Sequence, residues 1–265
     1  MKIHFLGTCA GTEPMPGRKH ACVVIEANDR LYWIDAGDGC ARTGHLMGLD
    51  LTKISKIVIS HTHMDHIGGL PNLFWYIRKI ADVRGILPEG MDLYIPNEEV
   101  ADAIYTILRN TEGGYYHEFD INQYGVLDGE LFNDGTVRAL AFHNDHLNWR
   151  PEDGLRTKFN QKKMWHSFTY RFECEGKSIV YSGDFKKLTA LDGAIGDGCD
   201  AIIIETGHHG IEGVYEYLKD KNVGKVFFSH NGREILNNPE ESAAKVSEYF
   251  GDCAIICEDR MTFDL

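Results

Sequence analysis

A mixed α/β fold is predicted for this chain by its own periodicities. Short runs rich in Ile, Val, Phe and Tyr recur along the whole length, separated by clusters of Gly, Asp and Asn. Helical patterns lie between some of these runs. No internal repeat with a period of about 20 to 50 residues is present. Strands and helices interspersed in this way must cover each other's apolar faces, so sheet layers flanked by helices are expected.

The strand-like runs are KIHFLG (2–7), ACVVIEA (21–27), RLYWID (30–35) and KISKIVIS (53–60), then DLYIP (92–96), VRALAF (137–142) and SFTYRFEC (167–174). SIVYSG (178–183), DAIIIET (200–206), KVFFSH (225–230) and AIICED (254–259) complete the series. Helices are expected over 70–83, 97–110, 210–221 and 239–251. The last has Pro near its start and Gly at its end, as helix termini prefer. The FWYI run at 74–77 reads as helix core, not as a platform for stacking bases.

With 265 residues, 43% of them hydrophobic and 25% charged, the chain has ordinary globular composition. A single domain over 1–265 is expected, because no Pro/Ser-rich linker, charge block or low-complexity stretch marks a boundary. Apolar runs are far shorter than the ~20 residues of a membrane helix, so no membrane association is expected. MKIHFLGT carries neither a basic leader nor a long apolar segment with a cleavage site, so no secretion signal is expected. Seven widely spaced cysteines, without a CxxC pair, suit reduced thiols in the cytoplasm. The formal net charge of −13 works against large nucleic acids, whose affinity comes largely from Lys and Arg on phosphates.

Polar residues fall where the strand-like runs end. His61 follows KIVIS, Asp184 follows IVYSG, Glu205 ends AIII and His230 ends KVFFS. One shared edge of the sheets is therefore a natural meeting place for them. The densest group is HTHMDH at 61–66, three histidines and an aspartate within six positions. In an extended turn, residues two apart point the same way, so His61 and His63 suit one ion. Asp65 and His66 then turn towards a second position as the next helix begins. Imidazole and carboxylate are good ligands for zinc and related divalent metals.

HTHMDH resembles the HxHxDH signature of the metallo-β-lactamase-fold hydrolases. Other matches follow in the order that superfamily requires: Asp35 in WIDAGDG, His146 in FHNDHLN, Asp184 in YSGDF and His230 in FFSHNGR. The resemblance covers essentially the whole chain. It implies a four-layer αββα sandwich of two mixed sheets with the site along one edge. It also implies one metal held by His61, His63 and His146, a second by Asp65, His66 and His230, and Asp184 bridging them. Asp35 would help hold the site. Two divalent ions roughly 3.5 to 4 Å apart lower the pKa of a shared water and stabilise charge on the attacked centre. Zinc is the first expectation, with manganese and iron as alternatives.

The opening MKIHFLGTCAGTEPMPGR resembles the FLGTxxGxPxxxR start of the tRNase Z branch and its phosphodiesterase relatives, and GGLP after the metal motif is similar to the GLP of tRNase Z. HMDH with GL shortly after is equally similar to the cyclic phosphodiesterase of phosphonate breakdown. Two features depart from tRNase Z: no Gly/Pro-rich basic arm for gripping tRNA is found, and the charge is unfavourable. Residues 148–165 also lengthen a connection that is usually short, either as a lid over the site or as a solvated excursion.

His143 competes with His146 for the third-motif role; His146 is preferred, and His143 is then a supporting residue. The Glu205 and His208 pair is a candidate for proton transfer to the leaving group, beside Asp65 and Asp184 in the catalytic set. Arg18 and Arg233 are candidate contacts for a substrate anion, since guanidinium matches phosphate. The expected activity is hydrolysis of phosphodiester bonds by hydroxide held between the two metals. Another ester-type bond, a lactone or thioester, is the alternative on the same platform, and a non-catalytic metal-binding module is the reading from another class. The expected substrate is small or medium-sized and anionic, and a homodimer is left open.

Overall fold

The computed structural model describes residues 1–112, 119–147 and 166–265, with the side chain of Glu112 left aside. The segment expected to form a lid or excursion, 148–165, lies outside the described residues. The first half builds strands β1 (Lys2–Gly7), β2 (Cys22–Ala27), β3 (Arg30–Ile34), β4 (Ile54–Val58), β5 (Met91–Tyr94) and β6 (Ile121–Tyr124). With the C-terminal β14 (Thr262–Asp264) they form one sheet in the order β14-β1-β2-β3-β4-β5-β6. The second sheet runs β13-β12-β11-β10-β9-β8-β7. Its strands are β7 (Gly129–Asn133), β8 (Val137–His143), β9 (Phe168–Cys174), β10 (Lys177–Tyr181), β11 (Cys199–Glu205), β12 (Val223–Ser229) and β13 (Ala254–Ile256).

Both sheets are mixed. β3 to β6 pair in parallel, as do β10 to β13, and the remaining neighbours are antiparallel. Three apolar clusters separate four layers. Phe5, Ile25, Tyr32, Phe168, Tyr170 and Phe227 fill the space between the sheets. On the far side of the first sheet, Leu6, Trp33 and Ile57 meet helices α1 (Cys40–Leu46), α3 (Leu70–Arg84) and α4 (Glu98–Glu112) through residues such as Phe74, Ile77 and Leu108. A short helix α2 (Met64–Ile67) precedes α3. On the far side of the second sheet, Ile202, Ile204 and Phe228 pack against α5 (Asp192–Ile195), α6 (Ile211–Leu218), α7 (Arg233–Asn237) and α8 (Pro239–Phe250). The result is the expected αββα sandwich, and it explains why AIII and KVFF are apolar without alternation: both faces of these strands are covered.

The four expected helices and eleven expected strands all form, with ends shifted by one or two residues in most cases. Three strands carried no signal: β6, β7 and β14. Each sits at a sheet edge and is largely half-buried or exposed, so INQY, GELFN and TFD have no run of apolar residues to reveal them. Phe74 and Ile77 are fully buried in the helix core, as the FWYI reading requires. Among the described residues no helix is long and apolar enough to cross a membrane.

Candidate metal centre

Parallel pairing places the C-terminal ends of β3 and β4 side by side, and likewise those of β10, β11 and β12. Four strand ends release a coordinating residue towards the same edge. β4 leads through Ser60 to His61, β10 through Gly183 to Asp184, β12 directly to His230, and β8 through Asn144 and Asp145 to His146. The two sheets are tied together there by Tyr170, whose hydroxyl donates to the Ile59 carbonyl at 2.7 Å, and by Phe168 N–H to the Ser60 carbonyl at 3.0 Å. The chain stays extended through His63 and then turns into α2, which sends Asp65 and His66 to the other side.

His61, His63 and His146 form one group able to hold a cation; Asp65, His66, Asp184 and His230 form another. Asp184 stands between them and divides its oxygens. Its Oδ1 lies 3.3 Å from His66 Nε2 and 3.4 Å from His230 Nε2. Its Oδ2 lies 3.9 Å from His61 Nε2 and 3.7 Å from His146 Nε2. Within the groups, His146 Nε2 is 3.4 Å from His63 Nδ1, and Asp65 Oδ2 is 3.1 Å from His230 Nε2. Ligands about 2.0 to 2.1 Å from a tetrahedral cation are separated by roughly 3.4 Å, so these spacings suit shared coordination. His61 Nε2 and Asp184 Oδ1 are buried without a hydrogen-bond partner, which a cation would supply. The two clusters form a dinuclear divalent metal site.

Support comes from residues one step further out. The buried Asp35 accepts from Ser60 N–H at 2.7 Å, Ser60 Oγ at 2.8 Å and the Tyr181 hydroxyl at 2.6 Å. It also lies 2.7 Å from His66 Nδ1, leaving Nε2 of that ring to face the cluster. Asn144 accepts from His146 N–H and Ser167 Oγ, which fixes the His146 loop. Asp145 Oδ1 accepts from the backbone of Lys186 and Lys187, joining that loop to the one carrying Asp184. Tyr181, Ser60, Asn144 and Asp145 were not singled out from the sequence. Their only signal was a polar group within or just beyond an apolar strand.

Among protein groups alone, the two positions differ in charge. Burial and the neighbouring imidazole of His66 push His61 well down, and burial lowers His63 and takes His146 to about 4, so these three are neutral. At His66 burial works the same way but is outweighed by Asp184 and Asp35, which raise it. His230 is likewise opposed by burial, yet Asp184 and Asp65 lift it to about 10. Burial would raise the Asp65 and Asp184 carboxyls, but His230 and His66 hold both well below the usual carboxylate range.

Glu205 and His208 are adjacent to this centre. His208 Nδ1 lies 2.9 Å from Glu205 Oε1 and 3.9 Å from Asp184 Oδ2, and its ring faces that of His146 at 5.0 Å. Hydrogen bonding to Glu205 raises the His208 pKa. Burial opposes ionisation of Glu205, but His208 and His230 bring it to about 2.

Three expected residues stand elsewhere. Arg18 was read as a substrate contact, but its guanidinium donates inward to Thr8 Oγ1, the Cys257 carbonyl and Glu258, because the chain folds its C-terminal segment over the opening loop. Arg233 pairs with Glu13 at the surface. His143 does not join the cluster; it is the exposed last residue of β8, with its ring against His166 at 5.3 Å and Phe168 at 5.4 Å.

A family model described as anti-Pycsar protein Apyc1 matches residues 1–203. Ribonuclease Z of Picrophilus torridus is 34% identical over 91% of this chain and 90% of its own length. Ribonuclease Z of Methanothermobacter thermautotrophicus is 28% identical over 62% of this chain, which spans about half (52%) of that protein. The crystal structure of human tRNase Z, short form, superposes with a TM-score of 0.74 at 19% identity, covering 100% of this chain and 99% of that one. A four-layer sandwich, ordered ligands along one edge and a match over most of the chain converge on one assignment: the chain belongs to the anti-Pycsar protein Apyc1 family, in the tRNase Z and phosphodiesterase branch of the metallo-β-lactamase-fold hydrolases.

Proposed function

We propose that the protein is a zinc-dependent phosphodiesterase whose ions are held by His61, His63 and His146 on one side and by Asp65, His66 and His230 on the other. The observation that carries this reading is Asp184, with one carboxylate oxygen turned to each group. Two bound divalent cations supply a hydroxide-like nucleophile near neutral pH and stabilise charge on the phosphate. The remaining work falls to the chain. Glu205 raises the His208 pKa and engages its Nδ1, leaving Nε2–H of the protonated ring to protonate the leaving alkoxide as the P–O bond breaks. Asp35 holds His66 in the tautomer whose Nε2 faces the centre.

The net charge of −13 works against a large polyanion, which leaves a small or medium-sized anionic phosphodiester as the preferred substrate. The ribonuclease Z relatives favour a second reading, an RNA phosphodiester. The seven free thiols support a reducing, cytoplasmic setting. One hydrolase domain over 1–265 is consistent with the first sheet pairing strands from the two chain ends, β1 and β14. The test is a panel of bis-p-nitrophenyl phosphate, an RNA transcript, a lactone and a thioester, offered to zinc-loaded protein. Phosphodiester turnover that disappears with chelator and in Asp184→Ala is expected; turnover of the lactone or thioester alone would overturn the reading.

A further inference from the structure

The ligand His230 sits in a left-handed backbone conformation, φ 48°, which a histidine adopts only where its surroundings impose it. The residue after it is held from several sides. Asn231 N–H donates to the Thr8 carbonyl at 2.6 Å, and its own carbonyl accepts from Ala10 N–H at 3.1 Å. Its side-chain Nδ2 donates to the Cys257 carbonyl at 3.0 Å. Arg18 closes the arrangement. Its Nη1 donates to that same Cys257 carbonyl at 2.8 Å and to Thr8 Oγ1 at 2.9 Å. Thr8 is fixed in turn by Asp259, whose Oδ1 accepts from its N–H at 3.0 Å and its Oγ1 at 2.8 Å, while Oδ2 accepts from Lys19 N–H at 2.6 Å.

Three segments distant in sequence thus meet at one carbonyl: the opening loop, the end of β12 and the residues before β14. The opening loop also approaches the centre directly. A Cβ on Gly11 would stand 2.7 Å from Asp65 Oδ2, so the loop backbone packs against a second ligand of the same cation position. The His61, His63 and His146 group has no comparable link to Arg18 among the described residues; it is fixed through Asn144 and Ser60.

We infer that Arg18, acting through Thr8, the Cys257 carbonyl and Asn231, is a positioning residue for His230 and sets the affinity of the cation position formed by Asp65, His66 and His230 selectively. The inference rests on the two-metal reading above.

Zinc titration of the chelator-stripped full-length chain by calorimetry tests it, with thermal unfolding followed in parallel. Wild type should bind two equivalents, and His230→Ala identifies the step belonging to its position. Arg18→Gln and the isosteric Thr8→Val should both weaken that step by about tenfold or more, as lost outer support of metal ligands does, and leave the other step unchanged. Thr8→Val preserves side-chain shape and decides the matter if Arg18→Gln does not fold. Unchanged affinity at both steps overturns the inference, as does equal weakening of both with a lowered melting temperature. A raised KM for bis-p-nitrophenyl phosphate with unaltered zinc binding also overturns it, making Arg18 a substrate contact. If wild type binds no zinc, the two-metal reading falls with it; if wild type binds two ions and the variants match it, only the role of Arg18 falls.

Discussion

A single buried carboxylate, Asp35, is the meeting point of four hydrogen-bonding groups: Ser60 N–H, Ser60 Oγ, the Tyr181 hydroxyl and His66 Nδ1. It reaches them from a left-handed φ of 54° immediately after β3, so its backbone is bent to serve its side chain. Replacing it with an amide keeps the volume but turns one acceptor oxygen into a donor. His66 would then lose the partner that fixes its tautomer. Asp35→Asn is expected to lower zinc affinity by about 10- to 100-fold in a competition titration against a chelating dye. Undiminished affinity would mean that packing alone orients His66. The WIDAGDG motif made Asp35 visible in the sequence; Tyr181, 146 positions away, had no motif to announce it.

The turn after β10 shows how an element sets a ligand. Gly183 has a φ of 55°, and a Cβ there would lie 2.7 Å from the Phe168 carbonyl and 3.1 Å from Ser60 Cβ. Glycine lets the strand end against the opposite sheet and aim Asp184 at both histidine groups. Gly183→Ala should therefore destabilise the fold by more than about 1 kcal/mol, read from the urea midpoint, and reduce zinc uptake as well. A variant as stable as wild type would show that the turn has room to move. Central strands such as β11 and β12 were legible because both of their faces are buried. Edge strands β6, β7 and β14 were not, because half of each faces solvent.

Across the whole molecule, the charges of the centre give stability a defined pH dependence. Asp65, Asp184 and Glu205 have lowered folded-state values, so their contribution is present above the ordinary carboxylate range and is lost as pH falls through it. His61, His63 and His146 are also lowered, so protonation of these side chains in the unfolded chain below about 6.5 erodes stability. His66 and His230 are raised. Their contribution is complete below about 6.5 and is lost as pH climbs, for His230 through about 10. Chelator-treated protein should thus be most stable near pH 6.5, with a urea midpoint that declines on both sides. A divalent cation held by His66 and His230 would replace their protons, so zinc-loaded protein should lose the alkaline decline between about pH 7 and 9. Equal slopes with and without zinc would place the ions elsewhere.

Local spacing and periodicity were enough to expect a layered α/β chain and a metal-ligating HTHMDH turn, because side-chain direction two residues apart and the apolar runs of buried strands are local properties. The resemblance carried by five ordered motifs extended this to the sandwich and to the later ligands. What no local pattern contained was the partnership among distant groups. Asp184 facing both clusters, Tyr181 on Asp35, and Arg18 turned inward to Cys257 instead of outward all depend on loops from separate strands arriving at one edge. An arginine beside a site has the same sequence whether it grips a substrate or a carbonyl. The fold of the C-terminal segment over residues 8–19 makes the difference, by bringing the Cys257 carbonyl and Asp259 within hydrogen-bonding reach.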